Sequence, residues 1–456
     1  MTAPGLEALA SKELSALGLA PGKPEPGGVP FRADAAGVRR ANLWLRTASR
    51  VLVRVAEFRA TAFFELEKRA KAIDWAAFVA PGGAAAFRVT CKKSKLYHSD
   101  AVAERLAGAL TARVRGAKIA GAGDDADEDD AASPGAQSDV IAAPQRNVIA
   151  APQRNVTAGQ QKNVVATRQK NVIARPGPGN LARSAALQRN VSAAPQRDVD
   201  VIAGPGPGNL ARSAAPQLFV VRFFHDVCTL SVDSSGALLH RRGWRLATAK
   251  APLRETLAAA VVLGSGWDAR APLEDPLCGS GTIAIEAALL ARKLAPGLAR
   301  AFAFEAWPGH AAAAWAAEQD AARALALPRA PGPIFASDAD AGAVQATRAN
   351  AARAGVVDDL TLTCRPLAAL PPAPSPGMVA TNPPYGLRVG ERGELPALYA
   401  ELGRTMRERR PGWRLALLSA DRAFEARLGL GVSTAWQSVN GGLPVRLVVS
   451  GEIRSA

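Results

Sequence analysis

Histidine and cysteine are scarce in this chain: 456 residues hold four of each. Cys91, Cys228, Cys278 and Cys364 stand far apart, no CxxC pair occurs, and the histidines form no HxxxH pattern. These absences exclude a disulfide framework and a zinc module, so no metal is expected and a reducing cytoplasm is the expected compartment. No run of about 18 apolar residues appears, so no membrane span is expected. The first residues, Met1-Thr2-Ala3-Pro4-Gly5-Leu6-Glu7, carry neither a basic nor an apolar signal region, and no secretory leader is expected. Nor does any glycine-rich stretch end in Gly-Lys-Ser/Thr, which removes the P-loop.

What is abundant is positive charge. The net charge is +16, which points to a polyanionic partner, most simply nucleic acid. Between about Ile119 and Gln217 the composition changes. No aromatic residue occurs from Tyr97 to Phe219, and an acidic run, Asp124 to Asp130, is followed by near-repeats. Ala143-Pro144-Gln145-Arg146-Asn147-Val148 returns at Ala151, and an eleven-residue unit beginning Pro-Gly-Pro-Gly-Asn-Leu occurs at Pro176 and again at Pro205. Such a segment has few large apolar side chains to offset its ordering entropy, and a disordered insertion is expected over 119–217. From Gly121 to Gln217 ten Lys/Arg face nine Asp/Glu, so the basic excess belongs to the segments that fold.

Before the insertion the apolar spacing reads as α+β. Helices are expected at Gly5–Leu17, Val38–Leu45, Phe63–Ala72 and Ser99–Arg115, and strands at Ser49–Phe58 and Ala86–Cys91. After it, Leu218–Phe223 and Val227–Val232 read as a hairpin-like pair that resumes the same small domain, as though the insertion interrupts one loop. From Pro252 onward strands alternate with helices. The strands are expected at Pro272–Asp275, Ile334–Ser337, Leu360–Cys364, Met378–Thr381, Arg414–Ser419 and Leu443–Ile453, with helices at Gly281–Leu294, Ala341–Ala354 and Leu395–Arg409. That alternation is the mark of a doubly wound, Rossmann-like α/β domain.

Three motifs fall at strand ends of that domain. Asp275-Pro276-Leu277-Cys278-Gly279-Ser280-Gly281-Thr282 is a strand-to-helix turn whose glycines permit close approach of a ligand. Its leading acid disfavours phosphate and suits a cationic group such as the amino end of S-adenosylmethionine; an ordinary tight turn is the plainer reading. Cys278 reads as a small buried turn residue rather than a nucleophile, because no histidine lies at a suitable spacing. In Ser337-Asp338-Ala339-Asp340, Asp338 sits where a carboxylate accepts from ribose hydroxyls, and Asp340 is placed to cap the next helix. In Thr381-Asn382-Pro383-Pro384-Tyr385-Gly386 the prolines fix the backbone and remove two donors. The Asn382 side-chain oxygen and the Pro383 carbonyl are left as fixed acceptors for the N–H groups of an exocyclic base amine, and Tyr385 is placed to stack on the base. The tryptophans at 307, 315, 413 and 436 read as core or cover. Lys92-Lys93-Ser94-Lys95 and His98 read equally as RNA contacts or as a solvated basic loop.

These residues, with Gly5-Leu6-Glu7-Ala8-Leu9, Arg241-Arg242-Gly243-Trp244-Arg245 and Pro252 to Ala259, resemble the bacterial 23S ribosomal RNA guanine-N2 methyltransferases, RlmL-like enzymes with a THUMP domain. The resemblance covers about residues 3–118 and 218–456. It implies a ferredoxin-like segment at 1–48, a THUMP RNA-binding region at 49–118 and 218–244 split by the insertion, and a class I S-adenosyl-L-methionine-dependent methyltransferase domain at 245–456. One such domain implies one reaction. Asp275, Pro276, Cys278, Gly279, Gly281 and Asp338 would hold the cofactor; Asn382, Pro383 and Tyr385 would carry the chemistry on large-subunit ribosomal RNA. The stretch after the third strand, Cys364-Arg365-Pro366-Leu367, departs from the family in lacking an acid beside the cofactor adenine. A tRNA guanine-N2 methyltransferase and a catalytically impaired RNA-binding factor are the other readings.

Overall fold

The computed structural model describes residues 1–121, 215–246, 253–373, 375–385 and 393–454. Of the expected insertion, residues 122–214 lie outside the described residues, as does Gly386. The chain begins with two helices, α1 (Glu7–Ala16) and α2 (Ala35–Trp44). Asp34 starts α2 by accepting the Gly37 N–H at 2.8 Å, a side-chain cap for one of the orphan donors of a first turn.

A five-stranded sheet follows, built from β1 (Leu52–Arg59), β2 (Ala84–Lys92), β3 (Lys118–Ile119), β4 (Gln217–Phe224) and β5 (Val227–Asp233), in the order β1-β5-β4-β2-β3. Ile119 and Gln217 both pair with Ala85, one on each side of β2. The chain therefore leaves and re-enters the same sheet around residues 122–214. One sheet face carries Phe87, Phe219, Val221, Phe223 and Leu230 into a core with α3 (Phe63–Ala70) and α4 (Ser99–Arg113). Trp75 is fully buried there and stacks edge-on against Phe87 and Phe219.

The second sheet contains β6 (Leu273–Asp275), β7 (Ile334–Asp338), β8 (Leu360–Cys364), β9 (Met378–Thr381), β10 (Arg414–Ser419), β11 (Val432–Asn440) and β12 (Leu443–Ser450). Its order is β11-β12-β10-β9-β6-β7-β8, parallel from β8 to β10 and antiparallel beyond. The pleat sorts the side chains: Met378, Ala380, Ala416 and Leu418 join the core cluster that holds Val261, Ile283 and Ala351, while Val379, Leu415 and Leu417 join one with Leu402 and Met406. With both faces covered, this is a Rossmann-like domain. Its helices α5 (Glu255–Ser265) and α6 (Thr282–Ala291) are buried nearly all round, which explains their mostly apolar sequence. Helices α7 (Ala312–Ala324), α8 (Ala341–Arg353), α9 (Leu395–Arg409) and α10 (Arg422–Arg427) complete it. Trp315, Trp413 and Trp436 are core residues, as their sequence context implied.

Five of these elements were not anticipated from the sequence: α5, α7, α10, β3 and β11. The hairpin joining β11 to β12 turns on Gly441 and Gly442, both at positive φ (57° and 78°), with Asn440 paired to Leu443. Asn-Gly-Gly is the expected composition for a two-residue turn of this kind. A buried charge network ties the first helices to the Rossmann-like domain. Arg242 donates to Glu286 on α6 at 3.0 Å and to the Arg46 carbonyl at 2.7 Å, while Arg46 donates to the Leu294 carbonyl at 2.6 Å.

Candidate active site

From β6 the chain runs to β7 and β8 on one side, then returns to β9 and β10 on the other. The C-terminal ends of β6 and β9 thus flank the point where strand order reverses, the place where open α/β sheets form their ligand crevice. Both sequence motifs of greatest interest end there. Asp275 closes β6 and Thr381 closes β9; Thr381 Oγ1 donates to Asp275 Oδ1 at 2.7 Å. The Leu277 N–H reaches the same oxygen at 3.3 Å. Asp275 is 2% exposed. Burial pushes its carboxyl pKa up to about 7 against these two hydrogen bonds, and the nearby acids Asp338 and Glu274 push the same way. Neither hydrogen bond comes from a cation. A buried carboxyl so placed is stabilised in its ionised form by a positively charged ligand group.

The glycine turn after β6 is held from two sides, by β7 and by α8. Gly279 N–H donates to Asp338 Oδ2 at 2.9 Å and Cys278 N–H to the Ser337 carbonyl at 3.0 Å, both from β7. From α8, Thr347 Oγ1 donates to the Gly279 carbonyl at 2.9 Å and Asn350 Nδ2 to the Ser280 carbonyl at 3.1 Å. The two glycines of the turn serve different needs. At Gly281 (φ +82°) a Cβ would lie 2.4 Å from Thr347 Cγ2, so this glycine lets α8 pack against the start of α6. At Gly279 (φ +54°) a Cβ would meet nothing within 4 Å, so this backbone borders open space. An acid that favours a cation beside an open glycine edge fits the amino end of a nucleoside-amino-acid cofactor.

Asp338 accepts from Gly279 through one oxygen and from the Asp340 N–H at 3.0 Å through the other. Each oxygen keeps a second lone pair, and Asp340 caps α8 by accepting from Gly342 N–H at 2.8 Å. Cys278 turns its side chain into the core, 3.7 Å from Thr347 Oγ1, and burial pushes its thiol pKa up; it is not an activated nucleophile. Pro276 is buried beside it. What Cys278 offers a ligand is backbone, not sulfur.

Asn382 is half-buried, Pro383 buried and Pro384 exposed. The Tyr385 ring, read from the sequence as placed to stack on the base, is half-buried against the main core, its hydroxyl donating to Asn382 Oδ1 at 2.5 Å and accepting from Asn440 Nδ2 at 3.5 Å. A tyrosine hydroxyl that enters an apolar setting needs such a partner, and burial raises its pKa. Because an amide oxygen has two lone pairs, Tyr385 orients Asn382 and leaves one acceptor site free.

Thr347, Asn350 and Asn440 thus shape the site without having stood out in the sequence, as does Thr381, which headed its motif there without a role. Arg245 joins them: it donates to Thr282 Oγ1 at 2.9 Å, at the first residue of α6, and to the Leu253 carbonyl at 2.6 Å. After β8 the Arg365 N–H donates to the Asp338 carbonyl at 2.9 Å, and the stretch 364–367 carries no acid. Among the described residues no cluster of three His, Cys, Asp or Glu is placed to hold a metal, and no helix is long and apolar enough to cross a membrane.

Residues 242–448 match the family described as RMKL-like, methyltransferase domain, and residues 1–52 match the RlmL ferredoxin-like domain. The Rossmann-like domain is therefore a methyltransferase domain, preceded by a ferredoxin-like one. The chain is 29% identical over 446 residues to a candidate RNA methyltransferase of Synechocystis sp., covering 97% of this chain and 94% of that protein. It is 40% identical over 230 residues to the ribosomal RNA large subunit methyltransferase K/L of Alteromonas mediterranea, covering 50% of this chain and only 33% of that protein. Thus it spans about a third of the length of the K/L relatives that it matches. Among solved structures, a candidate methyltransferase complexed with SAH superposes with a TM-score of 0.71 at 26% identity, covering 100% of this chain and 98% of that one. A proposed N6-adenine-specific DNA methylase of Listeria monocytogenes gives 0.70 at 29% identity, covering 98% and 94%.

Proposed function

We propose that this protein transfers a methyl group from S-adenosyl-L-methionine to the exocyclic N2 amine of a guanosine in large-subunit ribosomal RNA. The observation that carries this reading is the Thr381–Asp275 hydrogen bond, which couples the carboxyl suited to a cationic cofactor end with the strand that presents Asn382-Pro383-Pro384-Tyr385. When bound, the cofactor supplies an electrophilic methyl on a sulfonium. Asp275 would take its amino group, the open edge at Gly279 its chain, and Asp338 its ribose hydroxyls. Asn382 Oδ1 and the Pro383 carbonyl would accept the two amine N–H groups. The amine lone pair is conjugated into the base. Fixed acceptors favour pyramidal nitrogen and stabilise the positive charge that grows on it during attack. Holding amine and methyl in line supplies much of the remaining rate. The basic excess of the folded segments and the RNA methyltransferase names among the relatives support an RNA substrate. The five-stranded domain would then serve as the RNA-binding, THUMP-like region, and a cytoplasmic location follows from such a substrate.

The same tetrad suits adenine N6, the base named for the Listeria protein. Mass spectrometry of nucleosides from a deletion strain separates the readings. Loss of one N2-methylguanosine from 23S rRNA supports the proposal. Loss from tRNA alone, or loss of N6-methyladenosine, rejects it.

A further inference from the structure

The five-stranded sheet has a second face, turned away from α3 and α4. We propose that the end of this face nearest the β4–β5 turn is a stacking platform for a single-stranded stretch of the RNA. The proposal rests on RNA being the substrate and adds where an unpaired segment is held.

Strand register defines the platform. Phe224 of β4 pairs with Lys92 of β2 on one side and with Val227 of β5 on the other, and Val227 pairs in turn with Arg59 of β1. Cross-strand partners share a face, so Arg59, Val227, Phe224 and Lys92 form one row across four strands. Arg222 stands two residues along β4 on the same face, its guanidinium carbon 5.6 Å from the centre of the Phe224 ring. Phe224 is 43% exposed and Val227 37% exposed, whereas the opposite face of β4 buries Phe219, Val221 and Phe223 completely. An apolar ring placed outward on a folded sheet, in a chain with only 5% aromatic residues, contributes nothing to the core.

The rim of the row is built firmly. Lys93-Ser94-Lys95 wraps over the β4–β5 turn: Lys95 N–H donates to Asp226 Oδ1 at 2.8 Å and Asp226 N–H donates to Ser94 Oγ at 3.0 Å. Ala60 N–H closes the other side on the Asp226 carbonyl at 2.9 Å. Lys93, His225 and Asp226 adopt positive φ (49°, 49° and 63°), a backbone strain that the loop's hydrogen bonds sustain. The loop adds the exposed Lys93 and Lys95 to Arg59, Lys92 and Arg222. The acids at hand are engaged: Asp226 in the loop and 3.8 Å from Arg59, and Glu57 with Arg54 at 2.9 Å. Cations around a protruding aromatic suit phosphates around an unpaired base. Base–aromatic stacking tolerates any sequence, and an arginine beside the ring reinforces it. Duplex RNA offers no free base face to such a ring.

The test uses the full chain and fluorescence anisotropy with a labelled single-stranded oligouridylate of about 12 nucleotides, long enough for such a site. A labelled RNA duplex serves as the second probe. Phe224→Ala is expected to weaken single-strand binding about tenfold, with duplex binding unchanged, and Phe224→Tyr to keep it. Arg222→Glu and the Lys93→Glu/Lys95→Glu pair are expected to weaken binding and flatten its salt dependence. Calorimetric binding of S-adenosylhomocysteine reports that each variant is folded. If the wild type binds the oligomer and Phe224→Ala binds equally well, the platform is rejected while the RNA reading stands. If the wild type binds S-adenosylhomocysteine but no RNA, both fail together.

Discussion

Thr381 and Asp275 lie 106 residues apart and share a hydrogen bond of 2.7 Å at the centre of the second sheet. It restrains a carboxyl pKa that burial has already lifted to about 7. A carboxyl raised in the folded state holds its proton more tightly than in the unfolded chain. Its effect is therefore a loss of stability in the ligand-free protein as pH climbs from about 4 to about 7. A cationic ligand reverses the preference, since it favours the ionised form. Affinity for S-adenosylhomocysteine is accordingly expected to rise with pH, by up to about tenfold per unit below pH 7, and to level off above it. Thr381→Val should move that bend upward and Asp275→Asn should abolish it with weaker binding throughout. Calorimetry from pH 5 to about 9 reads all three; a flat wild-type profile contradicts the role of Asp275.

The two glycines of the turn separate packing from ligand access. Gly281→Ala drives a Cβ to 2.4 Å from Thr347 at a left-handed φ, and a stability loss of roughly 2–4 kcal/mol is expected, combining backbone strain with overpacking. Gly279→Ala has space for its methyl and should cost only about 1–2 kcal/mol, yet it narrows the open edge and should weaken cofactor binding. Chemical denaturation and calorimetry should order the two variants oppositely. The same order in both would show that the edge at Gly279 is not a ligand surface.

Much of this site is legible in the sequence because its parts obey local rules. Glycines at strand-to-helix turns, an acid at a strand end and Asp340 as a cap each declare themselves within a few residues. The pairing of β9 with β6 also follows from the alternating pattern once a Rossmann-like order is assumed. What could not be read was tertiary. Thr347 and Asn350 belong to no motif; they matter because α8 crosses the turn. The contacts of Tyr385 were hidden too, because nothing in the tetrad reveals the core beside it or the Asn440 hairpin. Helix α7 escaped notice because an alanine-rich run with one buried tryptophan has little periodicity, and β11 because only two of its nine residues are buried. The Asn440-Gly441-Gly442 signal was present and marks that hairpin.

Tyr385 and Asn382 give a kinetic prediction. Asn382→Ala should retain cofactor binding and lose about 100- to 1,000-fold in turnover, the scale for deleting one fixed transition-state partner. Tyr385→Phe removes the hydrogen bond that orients Asn382, and a smaller fall in kcat with cofactor affinity unchanged is expected. Single-turnover assays decide between this and a binding role: a loss confined to KM would reassign the tetrad.

Glu286 is expected to govern stability rather than catalysis. Its side chain is fully buried between Arg242 at 3.0 Å and Arg46 at 3.9 Å. Glu286→Ala removes the carboxylate paired with both buried guanidiniums, and removing one partner of such an arrangement costs roughly 3–5 kcal/mol. Denaturant unfolding measures it. A change below about 1 kcal/mol, the scale of an exposed pair, would mean that the network is well hydrated in solution.

The central claim is the transfer itself. Purified protein, S-adenosyl-L-methionine and 23S rRNA from a deletion strain should yield, after nuclease digestion and mass spectrometry, one new N2-methylguanosine per RNA molecule. Appearance of N6-methyladenosine instead, or no methylated nucleoside from a preparation that binds S-adenosylhomocysteine, would contradict the account.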